Sequence, residues 1–189
     1  MNISSILAEH NAVMQSAARL SPLLEEAIGI MQACLARGNR ILVCGNGGSA
    51  ASAQHFTAEL VCRFRVDRRA LPAIALTADT MTLTAIANDY GYDRIFARQV
   101  EALAAPGDVL LAISTSGNSA NVIEAARTAR SARCKVVALT GGDGGALAPL
   151  SDIALQAPSR VVARIQEVHD VWIHAIAQAL EDHASGQPA

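Results

Sequence analysis

His55 and Glu59 are four residues apart, so on a helix they stand one above the other on a single face. That spacing lets two side chains hold one divalent metal ion, and it equally lets Glu59 serve as a proton-transfer base. An ordinary solvated helix face carries the same pair, so the spacing alone leaves all three readings open. Near the other end, RIQEVHDVWIH sets Gln166, Glu167, His169 and His174 among apolar residues, where a histidine is by default structural. Two further stretches suit a different task. Gly45-Asn46-Gly47-Gly48-Ser49 separates an apolar run from a run of small residues. Ser114-Thr115-Ser116-Gly117-Asn118-Ser119 gathers hydroxyls around a glycine. Hydroxyls and the free N–H groups of a helix's first turn grip phosphate oxygens without a fixed positive charge. No lysine follows Gly48, so the first loop is not a Walker loop, and Ala50 stands at the third glycine position of the dinucleotide pattern. Either loop alone is equally well an ordinary turn. Two in one sheet favour a phosphorylated ligand.

Positioning these groups takes a parallel sheet. Residues 40–44 read as a strand apolar throughout, as a strand buried on both faces should be. A helix over 50–64 follows, with Phe56, Leu60, Val61 and Phe64 as its apolar stripe and Arg63 continuing the His55 face. Further strands are expected at 72–77, 109–113, 135–139 and 152–155, alternating with helices near 80–87, 93–104, 120–132, 146–150 and 161–182. Asn88-Asp89-Tyr90-Gly91 reads as the break after one of these helices. In the last helix Val162, Ile165, Val168, Trp172, Ile176 and Leu180 form the core stripe. Two helices precede the sheet, over 3–18 and from Ser21 to Arg37, with Ser21 as cap, Pro22 in the first turn and Gly38 as stop. Their apolar stripes need cover, and a second subunit is one answer. The expected fold is α/β: a three-layer αβα sandwich with a five-stranded parallel sheet, preceded by N-terminal helices. Residues 1–38 are the helical lead-in, 39–183 one domain, and 184–189 a disordered tail. Ligands of such sheets sit beyond the carboxyl ends of the strands, where the 45–49 loop, Asn88-Asp89 and the 114–119 loop converge.

Composition narrows the function classes. A chain of 189 residues that is 51% hydrophobic can bury one sizeable core, and 3% aromatic content leaves Ala, Val, Leu and Ile to fill it. A net charge of −2 without a basic run argues against nucleic acid as the main partner. Cys34, Cys44, Cys62 and Cys134 form no CxxC pair, so neither a zinc knuckle nor a redox motif is supported. The start, MNISSILAEHNAV, lacks the basic and continuous apolar parts of a signal peptide, and no apolar stretch approaches the roughly 20 residues that span a bilayer. A soluble, cytoplasmic protein without a membrane partner is expected.

Taken together, CGNGGSAASAQHFTAEL, LTAIANDYGYDRIFARQ, GDVLLAISTSGNSANVIEAA and RIQEVHDVWIH resemble the sugar-isomerase (SIS) domain proteins, which share a flavodoxin-like fold, and within them the phosphoheptose isomerases. The likeness runs in order over about residues 40–180; Ala70 stands where relatives often have proline. The resemblance implies a homotetramer with active sites near subunit interfaces. It implies conversion of D-sedoheptulose 7-phosphate to D-glycero-D-manno-heptose 7-phosphate, the entry to ADP-heptose for the lipopolysaccharide core. By matching positions it assigns substrate contacts to Asn46, Gly47, Gly48, Glu59, Asn88, Asp89 and Gln166, and phosphate contacts to Ser114, Thr115, Ser116 and Ser119. It assigns one zinc ion per subunit to His55, Glu59, Gln166 and His174, and catalysis to Glu59 and His174. Gln166 and His174 are eight residues apart, roughly 12 Å along a helix, whereas Glu167 and His174, seven apart, share a face better. The resemblance favours Gln166. Nitrogen and oxygen donors without thiolate suit zinc and leave other divalent ions open. Two other functions stay open on the same grounds. Some close relatives are non-catalytic SIS proteins that bind the bacterial replication initiator, and LPAIALTADTMTLTAIANDY looks as much like theirs. Those relatives lack the metal-site glutamate and the last histidine, which this chain keeps as Glu59 and His174. A sugar-phosphate-sensing regulator is the third reading.

Overall fold

Five short apolar runs pair as one parallel sheet. The strands are β1 Ile41–Gly45, β2 Ala73–Ala75, β3 Val109–Ile113, β4 Lys135–Gly141 and β5 Ile153–Ala157, in the order β2-β1-β3-β4-β5. The computed structural model describes residues 2–186. β1 pairs with β3 in register from Ile41 opposite Val109 to Gly45 opposite Ile113. Residues of β1 and β3 are buried throughout, because helices cover both faces of the sheet. Alternation divides them: Ile41 and Val43 join the core on one face, Leu42 and Cys44 the core on the other.

Seven α-helices are described: α1 Ile3–Ala17, α2 Ser21–Ala36, α3 Gly48–Val61, α4 Thr80–Tyr90, α5 Ala97–Leu103, α6 Ala120–Ser131 and α7 Val162–Ser185. α2, α3 and α7 pack into the core with Ile41 and Val43; α5 and α6 pack on the opposite face with Leu42 and Cys44. The expected three-layer sandwich with a five-stranded parallel sheet is therefore present. α7 contributes Ile165, Val168, Trp172, Ile173, Ile176, Ala177 and Leu180 to the first core. Each large apolar side chain so buried contributes about 1.5–3 kcal/mol. Burial also pushes the Cys44 thiol up to about 12, and those of Cys34 and Cys134 to about 11, the latter two helped by the negative charge of Asp108. All four cysteines are free, and the three buried ones are poor nucleophiles.

Several local expectations need correction. Val162 is 54% exposed, since α7 only begins there. Val61 is likewise exposed, at the last turn of α3. Ser21 does not cap α2; its hydroxyl donates back to the Ala18 carbonyl instead. α3 ends at Val61 rather than 64, because the Arg68 guanidinium takes up the carbonyls of Glu59, Leu60 and Cys62, so Arg63 lies past the helix. The segment expected as one helix over 93–104 is a 3₁₀ turn at Tyr92–Arg94 followed by α5. α7 runs on to Ser185, further than expected, and residues 187–189 of the expected tail lie outside the described residues.

The lead-in helices find much of their cover within the chain. α2 packs its apolar stripe, including Met31 and Leu35, into the first core. α1 crosses α7 and is held by charge: the buried Arg164 donates to the Ile6 carbonyl and to Glu9, and pairs with Glu167, whose other oxygen meets His10 Nδ1 at 2.7 Å. Ile3 and Leu7 on α1 stay exposed.

Candidate active site

The strand order reverses between β1 and β3, so the chain leaves their carboxyl ends in opposite directions and opens a crevice there. From β1 the loop 45–47 leads into α3 on one face; from β3 the loop 114–119 leads into α6 on the other. An amide pair bridges the two sides: Asn46 Nδ2 donates to Asn121 Oδ1 at 2.8 Å and Asn121 Nδ2 returns a bond to Asn46 Oδ1 at 2.9 Å. Tyr92 OH donates to the same Asn46 oxygen at 3.0 Å. Neither Asn121 nor Tyr92 stood out in the sequence. The available signal was an asparagine in the first turn of a helix that begins at a phosphate-type loop.

Loop 114–119 is rigid by construction. Gly117 has φ of 65°, and a Cβ there would run into the backbone carbonyl of Gly144. Gly117 accepts from Leu147 N at 2.9 Å, and Asn118 braces the loop through Ser116 O and Ala146 N. Ser114 Oγ and Ser119 Oγ stand 3.0 Å apart, and Thr115 and Ser116 line a cavity of about 280 Å³ with Gly141, Gly142, Ser159 and Arg160. Of the four hydroxyl-bearing residues expected to act together, Thr115 and Ser116 line this cavity, while Ser114 and Ser119 bond to each other.

α3 and α7 lie side by side and run in the same direction. Three successive contacts set their register: Gly48 against Gln166, Ser52 Oγ donating to Asp170 Oδ1 at 2.8 Å, and the His55 ring against the His174 ring at 5.0 Å between centroids. Gln166, Asp170 and His174 recur every four residues, so they share one face despite the axial distance between the first and the last. Glu167 turns elsewhere, to Arg164 and His10 on the α1 side. Burial opposes its charge, yet those two partners hold its carboxyl below the ordinary value. Packing thus sets Gln166 on the face of α7 that meets α3 and Glu167 on the face that meets α1. Gln166 joins His55, Gly48, Ala51, Ser52 and Asp170 around a cleft of about 330 Å³.

His55 is the hub. Its Nε2 lies 3.0 Å from Glu59 Oε1, and its ring meets His174 edge to face. Glu59 and His174 thus flank one imidazole. Two imidazoles, a carboxylate and a carboxamide are donors that a borderline divalent ion accepts. Among the described residues, however, no three His, Cys, Asp or Glu side chains are grouped closely enough to ligate one ion. His174 also stacks on Phe64, 5.7 Å between centroids and 26° between planes. Phe64 lies in the segment after α3, and the backbone N–H groups of Phe64, Arg65 and Val66 donate to the Glu181 carboxylate at 2.8, 2.7 and 3.1 Å. Burial would raise the Glu181 carboxyl; these three donors and the Arg68 charge hold it low.

His169 is structural. It is buried, its Nε2 donates to the Thr140 carbonyl at 2.8 Å, and its Nδ1 has no partner among the described residues. Burial lowers its basicity. Asn88 and Asp89 differ from expectation: α4 continues through Tyr90 and stops at Gly91, with φ of 90°, so both lie on the helix's last turn. They are exposed, and Asn88 Nδ2 donates to Asp89 Oδ1 at 2.8 Å. Within the described residues they are not brought onto the cleft with His55 and Gln166.

Known proteins resemble this chain in sequence and in fold. The SIS domain family pattern matches residues 7–141. The chain is 52% identical over 183 residues to the phosphoheptose isomerase of Aliarcobacter butzleri, covering 97% of each. It superposes on the phosphoheptose isomerase structure from Neisseria gonorrhoeae with a TM-score of 0.90 at 46% identity, covering 95% of this chain and 97% of that one. Against the phosphoheptose isomerase from Francisella tularensis the TM-score is 0.93 at 42% identity, covering 95% and 96%. Likeness at this level over nearly the whole length makes the chain a member of the SIS domain family and, within it, of the phosphoheptose isomerases.

Proposed function

We propose that this chain is an aldose–ketose isomerase that converts D-sedoheptulose 7-phosphate to D-glycero-D-manno-heptose 7-phosphate, upstream of ADP-heptose and the lipopolysaccharide core. The observation that carries the reading is the single imidazole of His55 touching Glu59 on one side and His174 on the other.

Isomerisation moves a proton between C1 and C2 of the open-chain sugar through an enediol. In this reading the Glu59 carboxylate takes the proton from C1 and returns it to C2, or the reverse. His174 moves a proton between the two oxygens, so charge stays balanced. Ser114, Thr115, Ser116 and Ser119 hold the phosphate. Asn46, Gly47 and Gly48 contact the sugar, as does Gln166, with Asn88 and Asp89 reaching it on closure or in the assembly. Binding the remote phosphate fixes the reacting carbons near the base, and that orientation is a large part of the rate. His55, Glu59, Gln166 and His174 would hold one zinc ion per subunit. When bound, the ion supplies Lewis-acid stabilisation of the developing oxyanion.

The homotetramer with sites near subunit interfaces belongs to this proposal too, with the 1–38 lead-in packing in the oligomer. It is supported by the apolar side chains left exposed at Ile3, Leu7, Met81 and Val171. A cytoplasmic setting is supported by four free cysteines. Incubation with sedoheptulose 7-phosphate, with and without a chelator, tests the activity. Glu59→Gln should lower turnover at least about 10²-fold while substrate still binds; parental turnover in that variant removes Glu59 from the role.

A further inference from the structure

We propose that the buried Arg68–Glu181 pair is the device that fixes the spacing between Glu59 and His174, with Phe64 as its contact on the imidazole. The inference deepens the isomerase reading and rests on Glu59 and His174 being the reacting pair.

Glu59 and His174 sit on different helices, so their separation depends on how the end of α3 is held against α7. Arg68 and Glu181 are almost fully buried, with side chains 2% and 1% exposed, and Arg68 Nε lies 3.5 Å from Glu181 Oε1. Each grips one of the two parts to be aligned. The Arg68 guanidinium donates to the carbonyl of Glu59 itself at 2.7 Å, and to those of Leu60 at 2.8 Å and Cys62 at 3.2 Å. It thereby binds the last turn of the helix that presents Glu59. Glu181 stands on α7 two turns beyond His174, on the same face. Its carboxylate takes three consecutive backbone N–H groups, those of residues 64–66. The first of these residues carries the ring stacked on His174. One buried pair therefore ties the Glu59 backbone, the Phe64 ring and the His174 helix into one rigid unit. A buried ion pair is weak evidence for stability and costs desolvation. The specific hydrogen bonds made by each partner give this one a positional role. Neither residue touches the cleft, so both are positioning residues.

The carboxamide of Glu181→Gln keeps the shape but offers one acceptor where three N–H groups and a guanidinium converge. The 64–66 segment shifts, and the ring on His174 shifts with it. A misplacement of about 1 Å at a reacting group costs on the order of 10²-fold. The expected result is a kcat for sedoheptulose 7-phosphate lowered about 10- to 100-fold, with KM within threefold because the phosphate loop lies elsewhere. Glu181→Asp keeps the charge and should recover part of the loss. Val136→Ala, at the far end of β4 in the opposite core, controls for lost stability and should lower Tm without moving kcat. All assays run at least about 15 °C below each variant's Tm. If Glu181→Gln does not fold, Phe64→Leu decides, since it removes the ring contact and leaves the pair intact. A kcat fall of threefold or more with KM within threefold, in whichever variant decides, supports the proposal; any other result overturns it. An active Glu59→Gln would instead sink the assignment of the reacting pair, and the two failures are read in separate proteins.

Discussion

Gly48→Ala separates fold from function at a single methyl group. Gly48 opens α3 at an ordinary helical position, so alanine is allowed there by the backbone. Replacing a glycine by alanine at a compatible helical site stabilises a protein by about 0.4–1 kcal/mol. The new Cβ, however, would lie 3.0 Å from Gln166 Cδ and closer still to its Nε2. Carbon atoms in contact stand about 3.5–4.0 Å apart, so the carboxamide must retreat by about 1 Å. Its side chain is flexible and retreats at little cost to folding. The cleft is where the cost falls: a 1 Å displacement there is worth about 10²-fold in rate, or about 2.7 kcal/mol. A thermal melt and steady-state kinetics with sedoheptulose 7-phosphate read the two effects separately. The melt should be unchanged or slightly higher, and kcat/KM should fall about 100-fold. Gly29→Ala on α2, with nothing within 4 Å of its new Cβ, should share the stabilisation and keep full activity. Parental kcat/KM in Gly48→Ala would refute the place given to Gln166; an unfolded protein would refute the claim that the amide has room to move.

Gly117→Ala should behave in the opposite way, losing stability and phosphate affinity together, because its φ of 65° and the Gly144 carbonyl leave no room for a side chain; a melt within a degree of the parent would contradict this. Tyr92→Phe removes one bond to Asn46 and should raise KM several-fold with kcat little changed, a split that initial-rate kinetics resolves. His169 links stability to pH. Its basicity is lowered from the ordinary 6.5, so between that value and its folded value the unfolded chain binds more protons. Stability is therefore full above pH 6.5 and falls as pH drops through that window, by up to about 1.4 kcal/mol per pH unit. His169→Gln should flatten that part of the curve in denaturant titrations, and an unchanged slope would assign the effect to another group.

The sheet was readable because each strand is a short apolar run bounded by glycine, proline or polar residues, and because the β1–loop–α3 passage changes period within a few residues. The hydroxyl loop was readable for the same reason. Asn88-Asp89-Tyr90-Gly91 misled, since Asn, Asp and Gly cluster in breaks, yet only Gly91 ends the helix. Val61 and Val162 kept the helical period but fell at helix ends, where neighbours on the next turn are missing. The bonds from residues 64–66 to Glu181, and those of Arg164 to α1, join residues more than a hundred positions apart. Nothing local announces such pairings. Asn46 with Asn121 is the same case, visible only once both loops meet at one rim.

The groups that would move protons all lie on α3 and α7, in one layer, while the hydroxyl turn leads into α6 in the other. The crevice is thus assembled from two halves joined by the Asn46–Asn121 bridge and by Ile165 of α7, which lines the same cavity as Thr115 and Ser116. Such a scaffold can exchange one half and keep its counterpart. A lineage that rewrites the α6 turn changes which acid tail is gripped without disturbing the reactive face, and one that erodes the α3–α7 face keeps its grip and falls silent as a catalyst.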